Sequence, residues 1–411
     1  MVSFLEYTTL TFCLTLGVHS NAYQDDFTLS AALLEQLSTQ GLGALPDLFP
    51  VLLNAAMQIE RQKHLGAAPH ERTEERTGHA NGYKDKTLIT RLGQITVAVP
   101  QVREVNGQGG GFYPQSLERG TRSERALKLA LAEMYVQGVS TRKVAAITEQ
   151  LCGFAVSSTQ VSQAAKQLDQ TLEAWRNRPL AACPYVYLDA RYERVRQNGL
   201  VQKAAVLIAV GVDEAGKRTV LGVSVALSEH EVHWRTFLQS LVARGLCGVR
   251  LVISDAHEGL KAARLAVFGG VPWQRCQFHL QQNASAYVPK QDMKPQVAAD
   301  IRAIFNAADK AEADALLKRT AQKYEQTAPK LAAWLEENLP EGLTVLSFPE
   351  AHRRLLRTTN GVERVNREIK RRTQVASIFP NEASCLRLVS ALLMETSDDW
   401  QAGKAYLTFS Q

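Results

Sequence analysis

The 411 residues, 45% hydrophobic and 21% charged, are enough for two or three domains and at least one sizeable core. With 26 glycines and 14 prolines the chain is neither collagen-like nor wholly disordered, and its six scattered cysteines, with no C-x-x-C, argue against a disulfide scaffold or zinc ribbon and fit a reducing cytosol. A net charge of +6 permits a polyanionic partner.

In chain order, Phe4 to Leu16 is fairly apolar, but the residues before Tyr7 include Glu6 and no Lys or Arg, and Thr8, Thr9 and Thr11 dilute the run. A secretory signal wants a positive n-region, so the run argues against one, and it is too short to span a bilayer. Residues 1–26 are therefore expected to be an uninformative leader that could lie upstream of the natural start, with no membrane span after it. Residues 27–120 form an N-terminal region. Leu33, Leu34, Leu37, Leu48, Val51, Leu52, Ala55 and Ile59 predict helix over 27–66, residues 67–87 a mobile polar loop, and 88–99 a short hairpin around Gly93. Gly107 and Gly109 to Gly111 break the chain.

Residues 121–180 turn helical, with Leu127, Ala130, Leu131 and Met134 on one face. Ser140 caps one predicted helix, Gly153 ends it, and Ser157 or Ser158 caps the next. This is a helix-turn-helix arrangement that would offer Gln160, Gln163 and Lys166 to DNA; an ordinary helical hairpin fits the same pattern. From residue 181 to 290 the texture is β, then alternates: PYVYLDARYERV, AAVLIAVGVD and RTVLGVSVAL, a helix from Val232 to Arg244, the strand VRLVISD, and a helix from His257. Residues 291–345 read as helical, and 346–411 hold helices from Thr359 to Arg372 and Glu382 to Thr396. The fold class is α/β: a mixed sheet flanked by helices, preceded by a mainly helical region.

Asp189 and Asp255 follow apolar strand residues, where a carboxylate pays for desolvation unless a cation compensates it. A strand-end aspartate can also cap the next helix, as Asp255 could. In TTNGVERVNREIKRR, Asn360 is the predicted cap, and Glu363, Asn366, Arg367 and Lys370 share a face beside the apolar stripe Val362, Val365 and Ile369. Residues 351–372 carry eight Lys or Arg against two Glu. Arg364, Arg367, Lys370, Arg371 and Arg372 are therefore candidate phosphate contacts, although a charge run is commonly just a solvated face. His230 and His233 have the wrong spacing for a zinc protease helix, and Cys276-x-x-His279 lacks the second pair a zinc finger needs.

The blocks GVSTRKV, YVYLDARYERVR, GVDEAGKRTVLGV, LVISDAHEGL, WQRCQFHLQQN and TTNGVERVNREIKRR occur in that order, and the chain over residues 27–400 resembles the Mutator-type bacterial insertion-sequence transposases. The resemblance implies a ribonuclease H-like core with an α-helical insertion and a D-D-E triad. LDA gives Asp189, SDAH gives Asp255, and TTN-x-x-E gives Glu363 rather than Glu368. These would be catalytic residues and ligands of two Mg²⁺ (or Mn²⁺) ions, with Cys276, His279 and Asn360 structural or DNA-adjacent. It further implies double-stranded DNA partners (terminal inverted repeats and target), a homodimer or higher multimer on DNA, and a nucleoid-associated cytoplasmic location. The expected reaction is cutting at element ends, then joining of the 3′-hydroxyl to target DNA. A metal-dependent nuclease or resolvase on the same fold, without strand transfer, is the alternative.

Overall fold

The computed structural model describes residues 31–74, 76–104 and 111–409. The leader, Cys13, Gly107, Gly109 and Gly110 lie outside them. The described residues divide into two compact bodies, those up to 87 together with those of 95–120, and 88–94 together with those from 121 onward.

In the first body, α1 (Ala31–Gln40) and α2 (Leu45–Leu65) are joined by a 3-10 turn over Gly41–Ala44. Pro46 and Asp47 suit the first turn of α2, Lys63 and His64 its last, and Gly66 ends it. By length and composition alone, Ala31–Leu65 is apolar enough to cross a membrane, which the sequence reading did not find. A hairpin of β1 (Gly78–Thr90) and β2 (Gly93–Glu104) follows. The expected loop over 67–87 is thus corrected: a strand starts at Gly78. His79 to Tyr83 and their neighbours are almost all exposed, so no apolar alternation marks them.

The hairpin tip belongs to the second body, where Ile89 exchanges backbone hydrogen bonds with Arg122 and Glu124, both 2.8 Å. Four helices come next: α3 (Arg125–Val136), α4 (Thr141–Cys152), α5 (Ser158–Lys166) and α6 (Asp169–Arg176). Ser140 caps α4 by accepting from the Lys143 amide. Gly153, at φ 71°, closes α4 in the left-handed region a side chain avoids. Ser157 caps α5 in a full capping box with Gln160. Leu127, Leu131, Val144, Val156, Val161 and Ala164 make the small core of this group.

Five strands form the central sheet: β3 (Tyr185–Gln197), β4 (Leu200–Val212), β5 (Arg218–Ala226), β6 (Leu251–Ser254) and β7 (Trp273–Arg275), in the order β5-β4-β3-β6-β7. The first three are antiparallel neighbours; β6 runs parallel to β3, and β7 to β6. Sequence reasoning missed β7, which at three residues is too short to show a period. Alternation divides the side chains between two faces. Val186, Leu188, Ala205 and Leu207 pack with Trp234, Phe237 and Leu238 of α7 (Glu231–Ala243) and Leu260 of α8 (Glu258–Phe268). Tyr185, Tyr187, Val206 and Ile208 face the opposite core. That core is shared by α9 (Gln277–Ala284), α10 (Lys294–Phe305), α11 (Lys310–Tyr324), α12 (Pro329–Asn338), α13 (Glu350–Leu356), α14 (Asn360–Ala376) and α15 (Glu382–Ala402). Each fully buried Leu or Ile here contributes about 2 kcal/mol of transfer free energy.

Candidate active site

Parallel pairing of β3 with β6 brings the ends of the two segments that carry Asp189 and Asp255 side by side. Tyr185 pairs with Leu251 and Tyr187 with Ile253, an offset of 66 residues. Asp189 continues the face of Tyr185 and Tyr187 on β3, and Asp255, one residue past the end of β6, lies close enough for its charge to raise Asp189. Contrary to the expectation of a strand-end aspartate, Asp189 lies within its strand, because β3 runs on to Gln197. β6 stops at Ser254, so Asp189 stands beyond the end of its neighbour while inside its own strand. Asp255 does not cap α8 either: the cap position is His257, and Asp255 Oδ1 accepts from the Ala256 amide at 2.6 Å.

Asp189 Oδ1 accepts from the Ala190 amide at 2.9 Å, and Oδ2 from Asn366 Nδ2 at 2.7 Å. Burial pushes the Asp189 carboxyl up to about 7; the Ala190 amide and His279 oppose the rise, and the charges of Glu363 and Asp255 add to it. Asp189, Asp255, Glu363 and His279 therefore share one electrostatic environment.

Helix α14 brings Glu363 to that environment. Val362, Val365 and Ile369 are buried, Glu363 and Asn366 are half-buried, and Arg364, Arg367 and Lys370 are exposed. Arg191 of β3 donates to the Asn366 carbonyl at 2.9 Å, tying the helix to the strand that carries Asp189. Asn360 is not the cap: it is the first helical residue and exposed, and Thr359 holds the cap position. The Thr359 amide and hydroxyl both turn to Cys276 Sγ, at 3.5 Å each.

Cys276 and His279, one turn apart at the start of α9, converge on Glu363. Their ligand atoms and a Glu363 oxygen all lie within 4.8 Å of one another, with His279 Nε2 3.9 Å from Glu363 Oε1. Burial raises the Cys276 thiol, but His279 and Thr359 bring it below its ordinary value. The Cys276 thiol beside it raises His279 to about 9, against burial and with help from Asp255 and Asp189. Glu363 Oε1, His279 Nδ1 and Asn366 Oδ1 are buried with no hydrogen-bond partner.

The expected DNA contacts divide. Gln160 Oε1 accepts from the Ser157 amide at 2.7 Å. Its carbonyl oxygen is engaged in the capping box, so adenine recognition through this side chain would compete with that bond. Gln163 and Lys166 are exposed on α5. With Ser140, Arg142, Ser158 and Ser162 they line a groove of about 800 Å³. Arg371 and Arg372 both pair with Glu368, at 2.6 and 2.8 Å. Arg372 also donates to the Val136 carbonyl at 3.0 Å and to Gln137 Oε1 at 2.6 Å, so it is a structural tie rather than a free cation. Hydrogen bonds from Arg371, then Arg372, hold Glu368 down to about 2. Sequence reasoning did not assign Asn366 a site role; its position one turn after Glu363 on the same face was the available signal.

The chain belongs to the Mutator family of transposases, whose family model matches residues 23–403. It is 57% identical over 382 residues to the transposase for insertion sequence element IS406 of Burkholderia multivorans, covering 92% of this chain and 96% of that one. It is 44% identical to the transposase for insertion sequence element ISRM5 of Rhizobium meliloti, covering 92% and 94%. A chain of a simian T-cell lymphotropic virus intasome complex matches at 12% identity over 48% of this chain and 67% of that one, with a TM-score of 0.18, too loose a likeness to argue from. DNA transposition is the activity of this family.

Proposed function

We infer that the protein binds the terminal inverted repeats of an insertion sequence, cuts DNA at the element ends and joins the 3′-hydroxyl to target DNA, with Asp189, Asp255 and Glu363 as its catalytic carboxylates. The observation that carries this is the convergence of three carboxylates: burial raises the Asp189 carboxyl to about 7, and the charges of Glu363 and Asp255 add to the rise. Three antiparallel strands followed by two parallel ones support a ribonuclease H-like reading of the core.

The residues fit hard divalent ions such as Mg²⁺ or Mn²⁺. The donors are carboxylate oxygens, and Glu363 Oε1 and Asn366 Oδ1 are buried without partners. When bound, two such ions supply the Lewis acidity that activates the attacking oxygen and stabilises the leaving one. Asp189 on β3 and Asp255 just past β6 would provide two ligand positions, and Glu363 a third from α14. Asn366 orients Asp189 through Oδ2, leaving Oδ1 with only the Ala190 amide. Arg364, Arg367 and Lys370, on the exposed side of the same helix, would hold the phosphate backbone in line with the carboxylates. The DNA would be that of the bacterial nucleoid, engaged by two or more copies of the chain.

The test is cleavage and strand transfer with labelled element ends and Mg²⁺. Asp189→Asn, Asp255→Asn and Glu363→Gln should each lose both steps, by at least about a hundredfold, while DNA binding persists. Glu368→Gln should keep both, because Glu368 serves Arg371 and Arg372. Robust cutting by Glu363→Gln would remove it from the site. Pre-cut ends that are never joined would favour a nuclease without strand transfer.

A further inference from the structure

We propose that Cys276, His279 and Glu363 form a second cation site, selective for a thiophilic divalent ion of the zinc class, which shares Glu363 with the carboxylate site. The inference rests on the placement of Glu363 in that site. The three ligand atoms lie within 4.8 Å of one another, and His279 Nε2 is 3.9 Å from Glu363 Oε1. Around a tetrahedral ion with bonds of roughly 2.0–2.3 Å, such atoms stand about 3.3–3.6 Å apart. Closing on an ion thus requires each side chain to move by less than about 1 Å.

Two further features point the same way. Glu363 Oε1 and His279 Nδ1 are buried polar atoms without a hydrogen-bond partner, although the His279 ring also hydrogen-bonds Cys276. Cys276 Sγ already accepts from the Thr359 amide and hydroxyl, the outer hydrogen bonds that hold a thiolate in place while it ligates a metal. Cys276 is the cap residue of α9 and His279 lies in its first turn, three residues on, so both reach the same side of the helix start. A sulfur and an imidazole nitrogen prefer Zn²⁺, Cd²⁺ or Co²⁺ to Mg²⁺, whereas the neighbouring carboxylates prefer the hard ion. Three protein ligands leave the fourth position open. An ion seated there engages the Glu363 carboxylate and withdraws it from Asp189 and Asp255. Zinc-class ions therefore inhibit the Mg²⁺-dependent reaction through this site.

The probe is Co²⁺, added to the full chain in metal-free buffer without DNA and followed by thiolate-to-cobalt absorption in the near ultraviolet. The wild type should show a saturable band at one ion per chain that Zn²⁺ abolishes and excess Mg²⁺ does not. Cys276→Ser should lack the band. Glu363→Gln and His279→Gln should bind at least about a hundredfold more weakly. Glu363→Gln keeps the buried thiol, so it tests the site even where Cys276→Ser fails to fold. Asp189→Asn should retain the band. No band in the wild type, a band that survives Cys276→Ser, or unchanged affinity in Glu363→Gln would each overturn the proposal. Cutting by Asp189→Asn would instead remove the triad reading and leave the cobalt result standing.

Discussion

Asp189 is the residue at which structure and chemistry conflict most. Its carboxyl is held up to about 7, against an ordinary 3.8, first by burial and then by the charges of Glu363 and Asp255. In the metal-free protein, between about pH 4 and pH 7, the folded state keeps a proton that the unfolded chain has released. Stability must then fall as pH rises through that window and level off above it. The drop from pH 5 to pH 8 should be about 2–3 kcal/mol greater in the wild type than in Asp189→Asn. Denaturant titrations of both proteins in EDTA measure this, and equal pH slopes would show that Asp189 ionises normally. A divalent ion must displace the same proton, so Mg²⁺ should bind about tenfold more weakly per unit of pH below 7. The two effects have one origin: a carboxylate placed where only a cation can compensate it.

Helix α14 has two sides, and they should answer differently to mutation. Arg364, Arg367 and Lys370 are exposed, while Arg372 is locked against Glu368, Val136 and Gln137. Replacing Arg367 and Lys370 by Ala should each lower the slope of log affinity against log salt by about 0.9 and leave stability nearly unchanged. Replacing Arg372 should cost roughly 1–3 kcal/mol of stability with little change in slope, because a half-buried guanidinium network is lost. Unchanged slopes for both Arg367 and Lys370 would leave α14 a solvated helix. Composition gave the charge run but not its division, since Glu368, Arg371 and Arg372 are paired by side-chain reach rather than by count. The same limit applies at other elements. Strands β3, β4 and β5 were readable because burial on both faces leaves long apolar runs. The outer part of β1 and all of β7 were not, one being exposed and the other three residues long. Asp189 and Asp255 were visible as polar residues interrupting apolar strands. The meeting of Cys276, His279 and Glu363 was hidden, because it depends on how α9 and α14 pack.

Across the whole second body, the site is built from segments far apart in the chain and held by one core. Asp255 and Glu363 are separated by α10, α11 and α12, whose buried residues join the same cluster as Tyr185, Tyr187, Val362 and Val365. The C-terminal segment closes that cluster. Leu407 is buried, and the amides of Tyr406 and Leu407 donate to the Gly216 carbonyl at 2.7 and 3.0 Å. Phe409 stacks on Tyr185, and His352 bridges Tyr185 to the Thr408 carbonyl. Gly216 admits this return: a Cβ there would stand 1.8 Å from the Leu407 carbonyl oxygen, and its φ of +75° is one that side chains avoid. Gly216→Ala must therefore dislodge the tail as well as strain the turn, at an expected cost on the order of 2–4 kcal/mol. In a chain ending at Lys404 the clash has no partner, and only the backbone cost of about 1 kcal/mol should remain. The cycle of the two changes isolates the tail contact as a coupling of roughly 1–3 kcal/mol. Guanidinium unfolding of the four proteins measures it, with protease susceptibility near residue 404 as a second readout. If Gly216→Ala costs the same in both backgrounds, the tail is not what the glycine accommodates. A real coupling, by contrast, means that the end of the chain stabilises the sheet face on which Asp189 lies, since Tyr185, Tyr187 and Asp189 alternate along one side of β3.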